Sequence, residues 1–340
     1  MGLKWGREDG AGAAGGPPAL LPRLARALAA RHDVLDAAHT AAVRVFAGFY
    51  EGEPDLTADV YADTLVLHNY AEPPARGEAA VQAATAFYAA QLPWLRCVVV
   101  KPRHAPDPAA RRGAVVRGGP PACEVREAGI RYSVDLLAMR DAGFYLDTRA
   151  LRAWARARLA GQTVLNTFAY TGSLGVAALA GGAARVVQLD ASRAVLNVAK
   201  TSYTLNGLPI RKADFVAADF WVATSRLRRA GAVFDCVFLD PPFFAAATTG
   251  TVDLDRNVAG LVNKVRPLVA DGGHLVVVNN ALFVSGRDHL ATLEALGASG
   301  HLALEAVLPV PPDVTGTPET RVAAPPVDPA PFNHPTKIAV

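Results

Sequence analysis

The sequence predicts an α/β protein: a parallel sheet covered by helices on both faces, preceded by a small α+β domain. Three observations carry this. From residue 147 onward, short apolar runs alternate regularly with helical stretches, the pattern of βαβ units. Before that point the apolar pattern is mixed, and a stretch with five prolines at 102–121 separates the two regions. The chain has 340 residues, 51% hydrophobic and 19% charged, enough for two domains with a large core and too apolar for a disordered protein.

The elements follow in order. Residues 1–22 begin with a Gly- and Pro-rich run lacking hydrophobic period and read as a flexible tail. Residues 22–49 carry Leu24, Leu28, Val34, Leu35, Val43, Val45 and Phe46 among alanines and charges, which predicts helix. Short strands are expected at 56–58 and 65–67 around a polar turn at 61–63, then a helix over 77–91 and a strand over 96–100. Together 23–110 read as the small α+β domain and 111–122 as a linker, leaving 123–340 for the larger domain. There, 123–137 reads as a hairpin turning at 127–129. Helices are expected at 148–159, 173–180, 192–206, 221–229 and 254–269. Strands are expected at 163–168, 185–189, 214–217, 234–239 and, after the turn Gly272-Gly273, at 274–278. Segments 302–307 and 336–340 suit an antiparallel pair at one sheet edge.

Composition excludes several classes. No apolar run reaches the ~18 residues a membrane span needs, and residues 1–18 lack the apolar core of a secretion signal. Three scattered cysteines, Cys97, Cys123 and Cys236, do not make a disulfide framework or a zinc site, so a cytoplasmic protein is expected. The eight histidines show no ligand spacing, and no metal is expected.

In an open parallel sheet the ligand lies beyond the carboxyl ends of the strands. The first strand leads into NTFAYTGSLG, whose Gly172 and Gly175 lack the G-x-G-x-x-G spacing of a dinucleotide site, and no triphosphate loop motif occurs. The second strand ends in Asp190, 18 residues after Gly172, where a carboxylate can accept hydrogen bonds from a ribose diol. The third ends near Asp219, an acceptor suited to an adenine amino group. The fourth ends in Asp240-Pro241-Pro242-Phe243. Its prolines fix φ and remove N–H donors, so the loop offers the Asp240 carboxylate and Pro241 carbonyl as acceptors, with Phe243 as a flat apolar face. A single aspartate at a strand end is most often a helix cap. Three at successive strand ends, beside a glycine-bearing first loop, point to a ligand. Asp59, Asp63, Asp135 and Asp141 have no such position and are expected at the surface.

Read together, NTFAYTGSLGVAALAGGAARVVQLDASRAVLNVAKTSYTLNGL, AADFW and FDCVFLDPPFF resemble the class I S-adenosylmethionine-dependent methyltransferases, with a Rossmann-like sheet. More narrowly they resemble the group that modifies bases of bacterial 23S ribosomal RNA. DAGFYLDTRALR resembles that group's TG-(Y/F)-(F/Y)-L-D-x-R segment, and DLTADVYADTLVLHNYAEPP its small N-terminal subdomain. The resemblance implies S-adenosylmethionine as cofactor and RNA as partner. It places Asn166, Phe168, Tyr170 and Gly172 on the methionine and sulfonium side. Asp190 with Ala191 falls at the ribose, Asp219 with Phe220 near the adenine, and Asp240, Pro241 and Phe243 where cofactor and target base meet. Tyr145, Asp147 and Arg149 belong to the segment that closes over the cofactor. The cytosine-C5 branch of that group uses a cysteine thiolate in the loop after the fourth or fifth strand; here those loops read DPPFF and VVVNNALF, and Cys236 lies inside a strand. The Asn279-Asn280 pair resembles the guanine-N7 branch instead, so a ring or amino nitrogen is favoured over cytosine C5. Residues 1–40 are not expected to form the RNA-binding module of the C5 branch. Two alternatives keep the pocket: a protein side chain or small molecule as methyl acceptor, and a non-catalytic RNA-binding assembly factor.

An RNA partner should leave a basic footprint. Arg149, Arg152 and Arg156 share one helical face beside Arg158, and 96–117 holds six basic residues (Arg96, Lys101, Arg103, Arg111, Arg112, Arg117) against Asp107 alone. The net charge of +3 is modest.

Overall fold

Leu20, Leu24 and Ala27 recur at helical spacing and are buried, and they anchor α1 (Pro17–Ala29). The structure, a computed structural model, describes residues 17–340. Part of the stretch read as a tail, residues 17–22, therefore belongs to α1, and residues 1–16 lie outside the described residues. The helix expected over 22–49 stops early. The Asp36 carboxylate accepts hydrogen bonds from the Thr40 and Ala41 amides, closing a turn. The chain then enters strand β1 (Ala42–Phe46), whose Val43, Val45 and Phe46 are the β-branched and aromatic residues a strand packs well.

Strands β2 (Leu56–Tyr61) and β3 (Thr64–Asn69) form a hairpin. Helix α2 (Glu78–Gln91) crosses to β4 (Cys97–Pro102), parallel to β3, and β5 (Ala114–Gly118) adds an antiparallel edge. The sheet order is β1-β2-β3-β4-β5. Strand β5 lies in the stretch read as a linker. It is exposed along its whole length, so no burial imprints an alternating pattern on it. Helices α1 and α2 cover one face of this sheet. Its other face, through Tyr61, Val66, Cys97 and Val99, joins an apolar cluster with Val125, Tyr132, Phe144, Val176 and Tyr203 of the following domain.

That domain opens with the hairpin β6 (Glu124–Glu127) and β7 (Ile130–Ser133), then α3 (Arg149–Arg158), β8 (Thr163–Thr167), α4 (Ser173–Ala180), β9 (Arg185–Asp190) and α5 (Arg193–Leu205). It continues through β10 (Phe215–Ala217), α6 (Phe220–Arg229), β11 (Phe234–Leu239), hairpin β12 (Phe244–Ala247) and β13 (Gly250–Asp253), and α7 (Val258–Val265). It ends with β14 (Val269–Asn279), α8 (Gly286–Gly297), β15 (Val307–Leu308), α9 (Pro312–Thr315) and β16 (Lys337–Ala339). The sheet order is β10-β9-β8-β11-β14-β16-β15. The first five strands are parallel, and β16 is antiparallel to both neighbours. Strand order reverses beside β8, which puts the topological switch point between β8 and β11.

One expectation fails here for lack of hydrophobic period. The Ala- and Thr-rich run at 244–253 forms the β12–β13 hairpin, and α7 starts four residues later than expected. Gly272, at φ +70°, and Gly273 fall where three extra residues bulge out of β14, and regular pairing with β11 resumes at His274, the expected strand start. Among the described residues no helix is long and apolar enough to cross a membrane, and no cluster of His, Cys, Asp and Glu could hold a metal ion.

The basic helical face read on α3 is a set of structural ties. Arg152 is buried, forms a fork with Glu127 at 2.8 and 2.6 Å, and lies over the Phe144 ring. Arg156 donates to the Ala128 carbonyl and Arg158 pairs with Glu305. Arg149 donates to both Asp313 oxygens, at 2.8 and 3.1 Å, and to the Ala42 carbonyl in β1. Asp313 is itself buried and also accepts the Arg44 amide. Removing one partner of a buried ion pair costs about 3–5 kcal/mol. Asp313→Ala should lose stability in that range in urea unfolding, while Cys123→Ser, an exposed position, should change it by less than about 0.5 kcal/mol.

Candidate active site

A cavity of about 560 Å³ opens at the carboxyl ends of β8, β9, β10 and β11, beside the switch point. Most residues expected there line it: Tyr145, Asp147, Asn166, Phe168, Tyr170, Asp190, Ala191, Asp219, Phe220, Asp240 and Pro241. Gly172, Arg149 and Phe243 do not.

The wall after β8 is a strained loop. Phe168 and Tyr170 hold φ of +54° and +51°, conformations that cost about 1–3 kcal/mol each in a non-glycine residue. The Asp190 carboxylate holds this loop, with Oδ2 accepting the Tyr170 amide at 2.9 Å and Oδ1 the Ser192 amide at 2.8 Å. Gly172 sits behind the wall at φ +76°, capping α4. The two glycines serve packing. A Cβ on Gly172 would lie 2.7 Å from the Ala199 Cβ, and one on Gly175 would lie 2.1 Å from Gln188 Nε2. Gln188 is fully buried; its Nε2 donates to the Gly172 carbonyl and Tyr203 hydroxyl, and its Oε1 accepts from Asn166 Nδ2 at 2.8 Å. Asn166 is thereby fixed in the cavity with its buried Oδ1 unpartnered.

Asp219 caps α6, its Oδ1 accepting the Trp221 and Val222 amides, so only Oδ2 is uncommitted. Phe168 and Phe220 stack at 4.6 Å and form an apolar slab. On the other side, Asp147 accepts a hydrogen bond from Thr336 at 2.8 Å. Asp240 accepts none from any described residue, and burial followed by the nearby Asp147 charge pushes its carboxyl up to about 7. Arg149 is absent from the wall because Asp313 takes its guanidinium. Phe243 packs its ring into the apolar cluster around Leu239 and Val252; its neighbour Phe244 is the exposed ring, at 57%.

Two parts of the site were missed in the sequence, the β12–β13 hairpin and Asp141. The β12–β13 hairpin supplies Ala245, Ala246, Ala247 and Gly250 to the wall, a run with no residue-level signal. Asn280 lines the cavity with a buried, unpartnered Oδ1, whereas Asn279 is structural, bonded to Leu254, Ala281 and His289. Asp141, expected at the surface, accepts the hydroxyls of both Tyr145 and Tyr170. Burial and its charge keep both phenols well above the usual tyrosine range, as neutral donors. Asp59, also expected at the surface, is buried in a fork with Arg44 and beside His68.

The electrostatics of the lining are one-sided. Asp147, Asp190, Asp219 and Asp240 bring four carboxylates, the orphaned Asn166 and Asn280 oxygens add acceptors, and among the described residues no lysine, arginine or histidine lines the cavity. Such a site disfavours a phosphorylated ligand and fits a cationic, donor-rich one. S-adenosylmethionine, with its sulfonium, ammonium, ribose diol and adenine amine, has that chemistry. Gly175→Ala should drive Gln188 off Asn166 and cost about 1–3 kcal/mol, read as a lowered urea midpoint with an unchanged m-value.

Comparison with known proteins agrees. A family model described as S-adenosylmethionine-dependent methyltransferase matches residues 44–321. The chain is 34% identical over 233 residues to a "Ribosomal RNA large subunit methyltransferase I" of Serratia proteamaculans, covering 65% of this chain and 58% of that protein. A protein of the same name from Photobacterium profundum is 33% identical, covering 71% and 62%. The chain thus spans about three fifths of these relatives. The fold matches a methyltransferase structure from Streptococcus mutans at a TM-score of 0.80 and 18% identity, over 95% of this chain and 81% of that one. A second methyltransferase structure, solved as a complex with SAH, matches at 0.80 and 20% over the same shares. The chain belongs to the S-adenosylmethionine-dependent methyltransferase family.

Proposed function

We propose that this protein transfers a methyl group from S-adenosylmethionine to a base of large-subunit ribosomal RNA, at a ring or amino nitrogen. The observation that carries the reading is Asp240: a half-buried carboxylate with no donor among the described residues, at the end of β11 in an acceptor-lined cavity. The relatives' names support ribosomal RNA as the acceptor. Nitrogen is favoured over cytosine C5 because no cysteine lines the cavity, and Cys236 is buried in β11 with its thiol pushed up by burial.

The bound cofactor supplies an electrophilic methyl group. Asp190, already aligned by two amides, would accept the ribose hydroxyls, and the Asp219 Oδ2 and the Phe168–Phe220 slab would receive the adenine. Asn166 Oδ1 and Asp147 offer acceptors to the ammonium side. Pro241 and Pro242 contribute no N–H, so nothing in that loop competes for Asp240. An amino group on the base can donate to Asp240, and a proton leaving that amine can pass to it. A ring nitrogen needs no such acceptor. The alignment of donor and acceptor and the exclusion of water supply the rate.

Asp240 makes cofactor affinity depend on pH. Its carboxyl loses its proton as pH rises through about 7, and a cationic ligand prefers the ionised form. Affinity should therefore be highest above pH 7 and fall below it, by at most about tenfold per pH unit. Calorimetry from pH 5.5 to 8.5 is expected to show this in the wild type and a flatter profile in Asp240→Asn; an equal slope in both would remove Asp240 from the site. Asp190→Ala should weaken S-adenosylmethionine binding at least about tenfold, the equivalent of one charge-assisted hydrogen bond.

Incubation with protein-free 23S ribosomal RNA and labelled cofactor, followed by nucleoside digestion, is expected to yield an N-methylated nucleoside. No covalent adduct should form with RNA carrying 5-fluorocytosine. A 5-methylcytosine product together with a trapped adduct would overturn the nitrogen assignment.

A further inference from the structure

Just beyond β4 the chain crosses the segment that leads into the cavity, and three arginines meet there. Arg103 donates through Nη1 to the Arg140 carbonyl, and Arg140 Nη2 donates back to the Arg103 carbonyl at 3.4 Å. The Arg103 guanidinium lies over the Tyr70 ring, 5.7 Å from its centroid, and its Nε is enclosed without a partner. Arg111 is pinned from Nε to the Ala105 carbonyl at 2.6 Å. Each of these bonds ends on a backbone carbonyl, which fixes the guanidinium without neutralising it. Other arginines here have acids: Arg96 faces Asp63, and Arg149 and Arg152 share Glu127. Among the described residues Arg103, Arg111 and Arg140 form no ion pair. Arg140 is held below the usual arginine range by partial burial and by the charges of Arg103 and Arg111. Packed like charges without a counterion are unfavourable, and planar guanidiniums match the oxygens of a phosphate.

The cluster abuts the active site. Arg140 directly precedes Asp141, whose carboxylate holds the hydroxyls of Tyr145 and Tyr170 on the cavity wall. A nucleotide presenting its base to Asp240 cannot place its phosphates in a cavity lined by four carboxylates. They must lie outside it.

We propose that Arg103, Arg111 and Arg140 form a binding site for a backbone phosphodiester of the RNA strand whose base enters the cavity. This rests on RNA being the methyl acceptor. It narrows the basic stretch 96–117 to two residues, adds Arg140 from a different segment, and removes Lys101, whose buried ammonium is occupied by the Arg112 and Met139 carbonyls.

The test compares wild type, R103Q/R140Q and the control R96Q/R117Q, whose side chains are exposed, in filter binding to protein-free 23S ribosomal RNA over a KCl series. Loss of this one phosphate contact should make the slope of log K against log[KCl] shallower by about 0.7–0.9. R103Q/R140Q should bind RNA tenfold or more weakly at low salt, with S-adenosylmethionine affinity unchanged and the control close to wild type. If the glutamine pair melts early, R103K/R140K keeps the charges and should restore the slope with part of the affinity. An unchanged slope and affinity in folded R103Q/R140Q would overturn the site. Wild type showing no salt-dependent RNA binding would instead defeat the RNA reading itself. Stabilisation by inorganic tripolyphosphate, lost in R103Q/R140Q without any RNA binding, would make this a small-anion site and overturn the phosphodiester assignment.

Discussion

Asp313 is the point on which the relative placement of the two sheets turns. Its carboxylate takes the Arg149 fork and the Arg44 amide, and its carbonyl takes Arg31 through Nε and Nη2. Three segments far apart in sequence are thus tied at one buried residue of α9: the turn after α1 through Arg31, β1 through Arg44 and α3 through Arg149. Arg31 extends the tie to Glu51, whose other oxygen accepts the Ala47 amide. These charges are buried, and a buried charge is tolerated only with its partners in place. The arrangement therefore specifies one docking of the N-terminal sheet. Because Arg149 follows Asp147 by two residues, the same tie positions Tyr145 and Asp147 against the cavity. A residue outside the cavity thereby sets one of its walls.

The opposite wall is set by close approach. Gln188, buried in β9, bonds to the loop, to α5 and to Asn166, and it can do so only because Gly172 and Gly175 let α4 come near. The left-handed Phe168 and Tyr170 are the local cost of turning the chain sharply from β8 into α4. Asp190 offsets part of it by accepting the Tyr170 amide. Its carboxylate is therefore a loop strut before it is a ligand group, and both roles need the same ionised form.

The parallel sheet was legible because buried strands and amphipathic helices impose opposite periods on the sequence, and the edge pair β15–β16 was legible for the same reason. Strand-end aspartates could be placed because topology dictates where strand ends point. What was not legible has physical causes. Strands β5 and β12 are exposed, so burial leaves no pattern in them. Helix periodicity in 22–49 was diluted by alanines, which suit either state locally, and the Asp36 turn decides the outcome. Arg149 and Arg152 looked like a basic footprint for RNA because a 3.6-residue period reports a face, not what covers it. Glu127 and Asp313 cover it, from distant positions. Phe243 and Phe244 could not be told apart by type; Phe243 precedes β12 and packs against the core, while Phe244 opens the exposed strand. Asp141 carried no positional argument, since its partners, Tyr145 and Tyr170, meet only in the folded chain.

The site and its rim divide charge by sign. Inside the cavity acceptors and carboxylates predominate, which raises the Asp240 carboxyl and suits a cation. At the junction, guanidiniums bound to carbonyls predominate, which suits a phosphate. Asp141 stands between the two, next to Arg140 in the chain and bonded to both wall tyrosines. Its partners there are neutral hydroxyls, so it adds negative charge to the cavity side without cancelling the arginines by a direct pair. A ligand that is cationic at one end and the proposed polyanionic partner would thus be drawn to adjacent but different places. On the proposed reading the acceptor base, unlike the phosphates, carries no charge, and such a field leaves it free to cross from the rim to the cavity.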